Sequence, residues 1–222
     1  MENDASSPAD PTGGGPPQTP PDTLSVAALL GAPRDVRTAR DRLLLKAVDL
    51  FARHGFHEVG LDRVLAEVGT TKTTFYKHFE SKDDLILKAV QARDAWELDA
   101  WSRVVQQMAG DDPRARLLGL FDVFDRWFNE PAFTGCLFIN TAAEFPNPNH
   151  PVHRAAADHK RKNRDIARDL AAAAGVADPE AFADVYTMLV EGALVLRQVH
   201  GRDDAARLAK PVVERLLAEA VG

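Results

Sequence analysis

Apolar residues along most of this chain recur at intervals of three and four, the period of helices with one buried face. Leu43, Leu44, Ala47, Val48 and Phe51 form the first stripe, within a helix read from Arg34 to His54. Gly55 then reads as the helix stop, with Phe56 as the hydrophobic partner beyond it. Leu61, Val64, Leu65 and Val68 make a second, shorter stripe. Phe75 and Phe79 make a third, which spans only about 40° of a wheel at 100° per residue. One long helix follows from Leu85 to Met108, carrying Trp96 and Trp101. The next, Pro113 to Asn129, sets Leu117, Phe121, Phe124 and Phe128 on one stripe with Trp127 beside it. A short apolar helix is expected within Thr134 to Phe145, and long ones open at Pro151 and after Asp178-Pro179. The last helix, Asp204 to Val221, holds Pro211, which should bend or loosen it. The pattern predicts an all-α protein.

The polar positions single out Leu61 to Lys82, LDRVLAEVGTTKTTFYKHFESK. A short helix, a tight turn at Gly69-Thr70 and a second short helix from Thr71 to Phe79 make the pattern of a helix-turn-helix, whose second helix enters the DNA major groove. Opposite the Phe75/Phe79 face lies Lys77, flanked by Thr73 and Thr74, with Tyr76 and His78 on the two shoulders. Hydroxyl, imidazole, phenol and ammonium groups reach phosphate oxygens, and Lys and Thr also read base edges. Candidate DNA contacts are therefore Thr71, Lys72, Thr73, Thr74, Tyr76, Lys77, His78 and Lys82. An αα-hairpin with a solvated polar face fits the same spacing. Ser81 and Asp84 have the spacing of a capping box, which puts Lys82 in a first turn whose dipole disfavours a cation. A phosphate there would remove the conflict, and Asp83 with Asp84 would offset it without one.

The length of 222 residues suits one domain and a small second one, and no run of 18 apolar residues calls for a membrane span. The start, MENDASSPAD, lacks the apolar segment of a secretory signal. The single cysteine, Cys136, excludes an internal disulfide and suits a reducing cytoplasm. A net charge of −6 speaks against a nucleic-acid partner until its distribution is read. Residues 1–33 hold four acids and no Lys or Arg, residues 34–88 have a net of +2, and residues 89–222 a net of −4. The cationic excess thus lies with the helix-turn-helix, and it is small enough that placement of the cations matters more than their number. Residues 1–33, with Gly13 to Gly15 and paired prolines, read as a disordered tail. Residues 34–80 read as the DNA-binding domain and residues 81–222 as the remainder.

The string from Gly69 to Leu85, GTTKTTFYKHFESKDDL, resembles the signature of the TetR family of bacterial transcriptional repressors. The resemblance spans Thr38 to about Lys88. It implies that Lys82 contacts phosphate, that the long helix sets the spacing of two DNA-reading heads, and that the last two helices dimerise. Where the family has a Thr or Ser opening the second helix, Val59 and Gly60 stand here, so phosphate would meet bare N–H groups. Leu65 stands where the family has a small residue. Gly135 to Arg161 resembles one branch of such regulators.

The C-terminal part offers a candidate effector pocket at Trp101, Phe121, Phe124, Trp127, Phe128, Cys136, Asn140, Glu144 and His159, although aromatic stripes also make plain core. Cys136, Asn140 and Glu144 recur at i, i+4 and i+8, a polar line that needs partners in protein or ligand. A lone buried Cys is more often a small hydrophobe than a nucleophile, and His150, His153 and His159 with Glu144 lack a metal site's usual Cys partner. No catalytic residue, metal or cofactor is assigned. Met188 to Leu196 is apolar on nearly every side and must be covered. With the final helix it predicts a four-helix dimer interface including Met188, Gly192, Leu196, Val212 and Leu216. The expected function is a cytoplasmic homodimeric repressor that binds a palindromic double-stranded operator and is released by a small organic effector. The alternatives are a DNA-binding activator or architectural protein without effector, and a helical enzyme or adaptor.

Overall fold

A computed structural model of the chain describes residues 36–220, so the tail read at residues 1–33 lies outside the described residues. Among them are nine helices and no strand: α1 Ala39–His54, α2 Leu61–Val68, α3 Lys72–Tyr76, α4 Lys82–Ala109, α5 Pro113–Phe128, α6 Leu137–Glu144, α7 Pro151–Ala173, α8 Pro179–His200 and α9 Ala205–Ala220.

α1 starts later than its sequence pattern suggests, because Thr38 closes a capping box with Asp41. The Thr38 hydroxyl accepts from the Asp41 N–H at 3.1 Å, and the Asp41 carboxylate accepts from the Thr38 N–H at 3.3 Å. Those bonds satisfy orphan donors at the helix start, and the Thr38 hydroxyl, which donates to the Asp41 carboxylate at 2.7 Å, together with the Thr38 N–H holds that carboxyl below its ordinary range. Gly55 ends α1 at φ +80°, a conformation that a Cβ would strain.

α1 to α3 enclose a small core in which Leu43, Phe51, Phe56, Phe75 and Leu85 are fully or nearly fully buried. α3 has five residues, too few to hold itself together as a helix in water. Phe75 and Phe79 anchor it, stacked at 5.4 Å, and each buried ring contributes about 1.5–3 kcal/mol. α4 belongs to both halves: it packs on α1 near its start and on α5 and α7 further along. α7 packs on α8, and α9 packs on α5 and α8. α9 runs through Pro211 without a break. No helix among the described residues is long and apolar enough to cross a membrane.

Candidate nucleic-acid interface and ligand cavity

Gly69 terminates α2 in the left-handed region, φ 69° and ψ 43°, and turns the chain into α3 within two residues. Thr71 caps α3: its hydroxyl accepts from the Thr74 N–H and lies 3.2 Å from the Thr74 hydroxyl. With Phe75 and Phe79 buried, the opposite side presents Thr73, Tyr76, Lys77 and His78 to solvent, Tyr76 at 58% exposure. Lys72 is exposed too, but its ammonium leans back to Asp62 on α2 at 2.9 Å. Thr74 is half-buried, as is Lys82 at the first position of α4.

Two sequence expectations are corrected here. α3 ends at Tyr76 and not at Phe79, because the N–H groups of Lys77 and His78 close on the carbonyls of Thr74 and Phe75, three residues back. That tightening carries Phe79 into the core while Lys77 keeps helical angles. The Ser81 hydroxyl does accept from the Asp84 N–H, but the Asp84 carboxylate returns to the Glu80 N–H at 3.2 Å and not to Ser81. At α2, Gly60 stands at the N-cap with no side-chain bond. Arg40 on α1 reaches over the Phe79 ring at 5.8 Å, which braces the recognition helix from behind.

On α6, Asn140 and Glu144 find partners in the protein, whereas the Cys136 side chain at the helix start lines a cavity. Cys136 is the N-cap, and Asn140 accepts at its side-chain oxygen from Gln198 Nε2 of α8 at 2.7 Å. Gln198 Oε1 also accepts from the Cys136 N–H at 3.2 Å. At the far end the Glu144 carboxylate accepts from the backbone N–H of Phe56 at 2.8 Å and of His57 at 3.0 Å. These amides follow the α1 stop and lack carbonyl partners of their own, so the carboxylate supplies one. Phe145 packs on Phe56 at 5.6 Å beside it. The eight residues of α6 thus join α8 to the base of the DNA-reading head.

A cavity of about 230 Å³ lies between α4, α5, α7 and α8. Of the residues read from the sequence as a candidate effector pocket, Trp101, Phe124, Trp127, Cys136 and His159 line it. Phe121, Phe128, Asn140 and Glu144 do not. Phe121 packs behind the wall against Tyr186 at 5.5 Å, and Phe128 stacks on Phe124 at 5.7 Å. Sequence reasoning missed Glu97, Lys160, Asn163, Tyr186 and Glu191 in the lining. The one-face spacing of His159, Lys160, Asn163 and Ala167 on α7 was the available signal.

The charges around the cavity are matched. Arg93 bonds Glu97 at 2.7 Å, and Lys160 bonds Glu191 at 2.8 Å. Buried His159 bonds Asp94 at 2.8 Å and stacks on Phe138, while Lys162 bonds the second Asp94 oxygen. Burial works to raise the Asp94 carboxyl, yet the bonds from His159 and Lys162 hold it below the ordinary range. Burial pushes the Cys136 thiol up, which leaves it protonated and a poor nucleophile at neutral pH. The Tyr186 hydroxyl donates to the Leu117 carbonyl, and burial pushes the phenol up as well. His150 caps α7 and His153 bonds the Phe145 carbonyl, so the histidines read as a possible metal set serve separate ends.

On the outer side of α8 and α9, Met188 (65% exposed), Val199 (70%) and Leu208 (50%) stand in solvent. Gly192 and Leu196 are exposed beside them, and Val212 and Leu216 are half-buried.

A capped, aromatically anchored recognition helix joined to a larger helical body defines a helix-turn-helix DNA-binding regulator. The family profile described as bacterial regulatory proteins, tetR family, matches residues 43–89, and the tetracyclin repressor-like C-terminal domain matches residues 113–213. SCO4454, a TetR-family transcriptional regulator of Streptomyces coelicolor, is 32% identical with a TM-score of 0.73, over 83% of this chain and 96% of that one. The putative TetR-type regulator sav143 of Streptomyces avermitilis is 26% identical with a TM-score of 0.70, over 83% and 98%. The HTH-type transcriptional regulator YjdC of Escherichia coli K12 is 24% identical over 78% of this chain and 93% of that one. The chain belongs to the TetR family of transcriptional regulators; it is a DNA-binding regulator and not an enzyme.

Proposed function

We propose that the protein is a cytoplasmic repressor that binds a two-fold symmetric operator as a homodimer and leaves it when a small organic effector fills the cavity. The observation that carries this reading is α6, which begins at the cavity wall with Cys136 and ends with Glu144 bonded to the head. A ligand that displaces the wall acts on a helix whose other end holds the α1–α2 loop. Thr71, Thr73, Thr74, Tyr76, Lys77 and His78 meet the groove, and Lys72 joins them by leaving Asp62 for phosphate. Lys82, with the N–H groups at the start of α4, takes a backbone phosphate. The exposed apolar side of α8 and α9, including Met188, Gly192, Leu196, Val212 and Leu216, faces a second copy. Two heads then reach successive major grooves, about 34–36 Å apart. Residues 34–80 act as the DNA-reading unit and residues 81–222 as the effector and dimer unit.

Selection from a random double-stranded DNA pool, at low and at physiological salt, tests the reading. The expected result is enrichment of a palindromic site that survives the higher salt. Binding without preferred sequence that fades with salt would mean only phosphate attraction and would overturn it. A promoter reporter carrying the selected site then reads the direction of control, repression being the expected outcome.

A further inference from the structure

Resting on the reading of this cavity as the effector site, we infer that its ligand is an uncharged, roughly bicyclic molecule whose hydrogen-bond acceptor (a ketone, quinone or lactone oxygen) meets the indole N–H of Trp101. Three observations lead there. The first is size. A cavity of about 150 Å³ takes benzene, so the 230 Å³ here suits a body of about two fused rings. Trp101, Phe124 and Trp127 supply ring faces for it.

The second is charge. The lining holds Glu97, Glu191, Lys160 and Arg116 together with His159. Glu97 is paired with Arg93, Glu191 with Lys160, and His159 with Asp94. Arg116 donates to the Gly110 carbonyl at 2.9 Å and lies 3.8 Å from Asp111. A charged ligand would arrive without a counter-charge and would have to break an existing pair, leaving one partner buried and unmatched. An uncharged ligand meets no such penalty.

The third is a missing bond. Trp101 is 9% exposed, and its Nε1 is the one buried side-chain nitrogen or oxygen among the described residues without a hydrogen-bond partner. The ring stands edge-to-face with Trp127 at 5.8 Å, and a ring face is a weaker acceptor than oxygen. Buried donors are rarely left this way. Every other buried polar side-chain atom among the described residues is satisfied, including the Tyr186 hydroxyl on the same lining. Trp101 lines the cavity, and a ligand oxygen admitted beside its ring by a shift of the side chain completes the donor that remains.

The test uses the full-length protein with two probes of matched size, 1-tetralone and tetralin, which differ at one carbonyl. Titration calorimetry on wild type and Trp101→Phe should show tetralone weakened about tenfold and tetralin changed by no more than about twofold. Equal losses for both probes would overturn the donor role while leaving the cavity reading intact. Failure of both probes to bind wild type would overturn both. Tighter binding of 2-naphthoate or 2-naphthylmethylammonium than of tetralone would overturn the uncharged class. A second readout needs no variant: of the three indole N–H resonances from the three tryptophans, that of Trp101 should move downfield with tetralone and not with tetralin. An unmoved Trp101 signal in a tetralone-saturated sample would equally overturn the inference.

Discussion

Replacing Glu144 with Gln probes the joint between body and head with the least change of shape. The carboxylate Oε2 accepts from the N–H of Phe56 at 2.8 Å and of His57 at 3.0 Å, and Oε1 lies 3.1 Å from the Phe56 nitrogen. Glutamine can keep its one oxygen at the Oε2 position and retain both bonds. It loses the charge, and its NH₂ then faces the Phe56 N–H donor to donor. A hydrogen bond to a charged partner is worth about 1.5–3 kcal/mol and a neutral one about 0.5–1.5, so two bonds weaken by roughly 2 kcal/mol together. The side chain cannot slide away, because Gly55 leaves it a fitted slot: a Cβ there would stand 2.9 Å from Oε1.

Amide hydrogen exchange reads this directly. A loss of roughly 2 kcal/mol in local opening corresponds to about 30-fold faster exchange at Phe56 and His57, with amides in the middle of α8 unchanged. If the whole fold opens together, the melting temperature falls by about 4–8 °C instead. Typical allosteric coupling is about 1–3 kcal/mol. A joint weakened by about 2 kcal/mol should therefore blunt most of an effector's influence on DNA affinity. Unchanged exchange at both amides, together with an unchanged melting temperature, would refute the assignment of Glu144 as the joint.

The remaining expectations concern the other surfaces. Lys82→Ala should weaken binding to all DNA sequences alike and reduce the salt slope by about one, whereas Lys77→Ala should also change the preferred base pairs; a selected site identical to wild type would contradict the orientation given to α3. Met188→Asp with Val199→Asp places two charges on the apolar side of α8 and should yield monomers in sedimentation with loss of operator binding, and an intact dimer would place the interface elsewhere. Asp94→Asn should cost about 1–3 kcal/mol at neutral pH. Because the folded Asp94 carboxyl is held low, its contribution is full above the unfolded value of about 3.9 and is lost as pH falls through the folded value. The gap in thermal stability between wild type and Asp94→Asn should therefore close in acid, and a gap that persists there would exclude the carboxylate charge as its cause.

Local periodicity made the helices legible, and it also showed where it stops informing. Phe75 and Phe79 were readable as an anchor because both rings pack within their own small unit. The end of α3 was not, since the two bonds that close three residues back follow from the need to bury Phe79 just before α4 begins. Asn140 and Glu144 find their side-chain partners 58 and 88 residues away in sequence, and the bond at Cys136, 62 residues away, is made by its backbone N–H, so no local pattern could tell a protein partner from a ligand. The same limit hid the Lys160–Glu191 pair, whose members are 31 residues apart. Among the rings of α5, Phe124 and Phe128 share a stripe, yet one lines the cavity and the other lies behind it. That difference is set by α4, whose Trp101 packs on Phe124 at 4.7 Å, and not by α5 itself.

The position of α6 explains how so few contacts can link three surfaces. Eight helical residues span about 12 Å, and both ends are pinned by side-chain bonds to backbone N–H groups. Gln198, which holds the start, lies next to exposed Val199 on the side of α8 proposed for the second copy. Cys136, at the same end, forms part of the cavity wall, and Glu144 at the other end supports the head. A helix this short does not bend gradually under load; packed elements shift between discrete arrangements. A ligand that moves the Cys136 end therefore strains the Gln198 bonds, the Glu144 bonds or the packing of α6 on α7, where Phe138 stacks on His159. The Gln198 pair comprises one amide–amide bond and one bond to a backbone N–H, both neutral, whereas the Glu144 carboxylate makes charge-assisted bonds. The stronger attachment is the one to the head, so on this reading the head follows α6 while the contact with α8 yields.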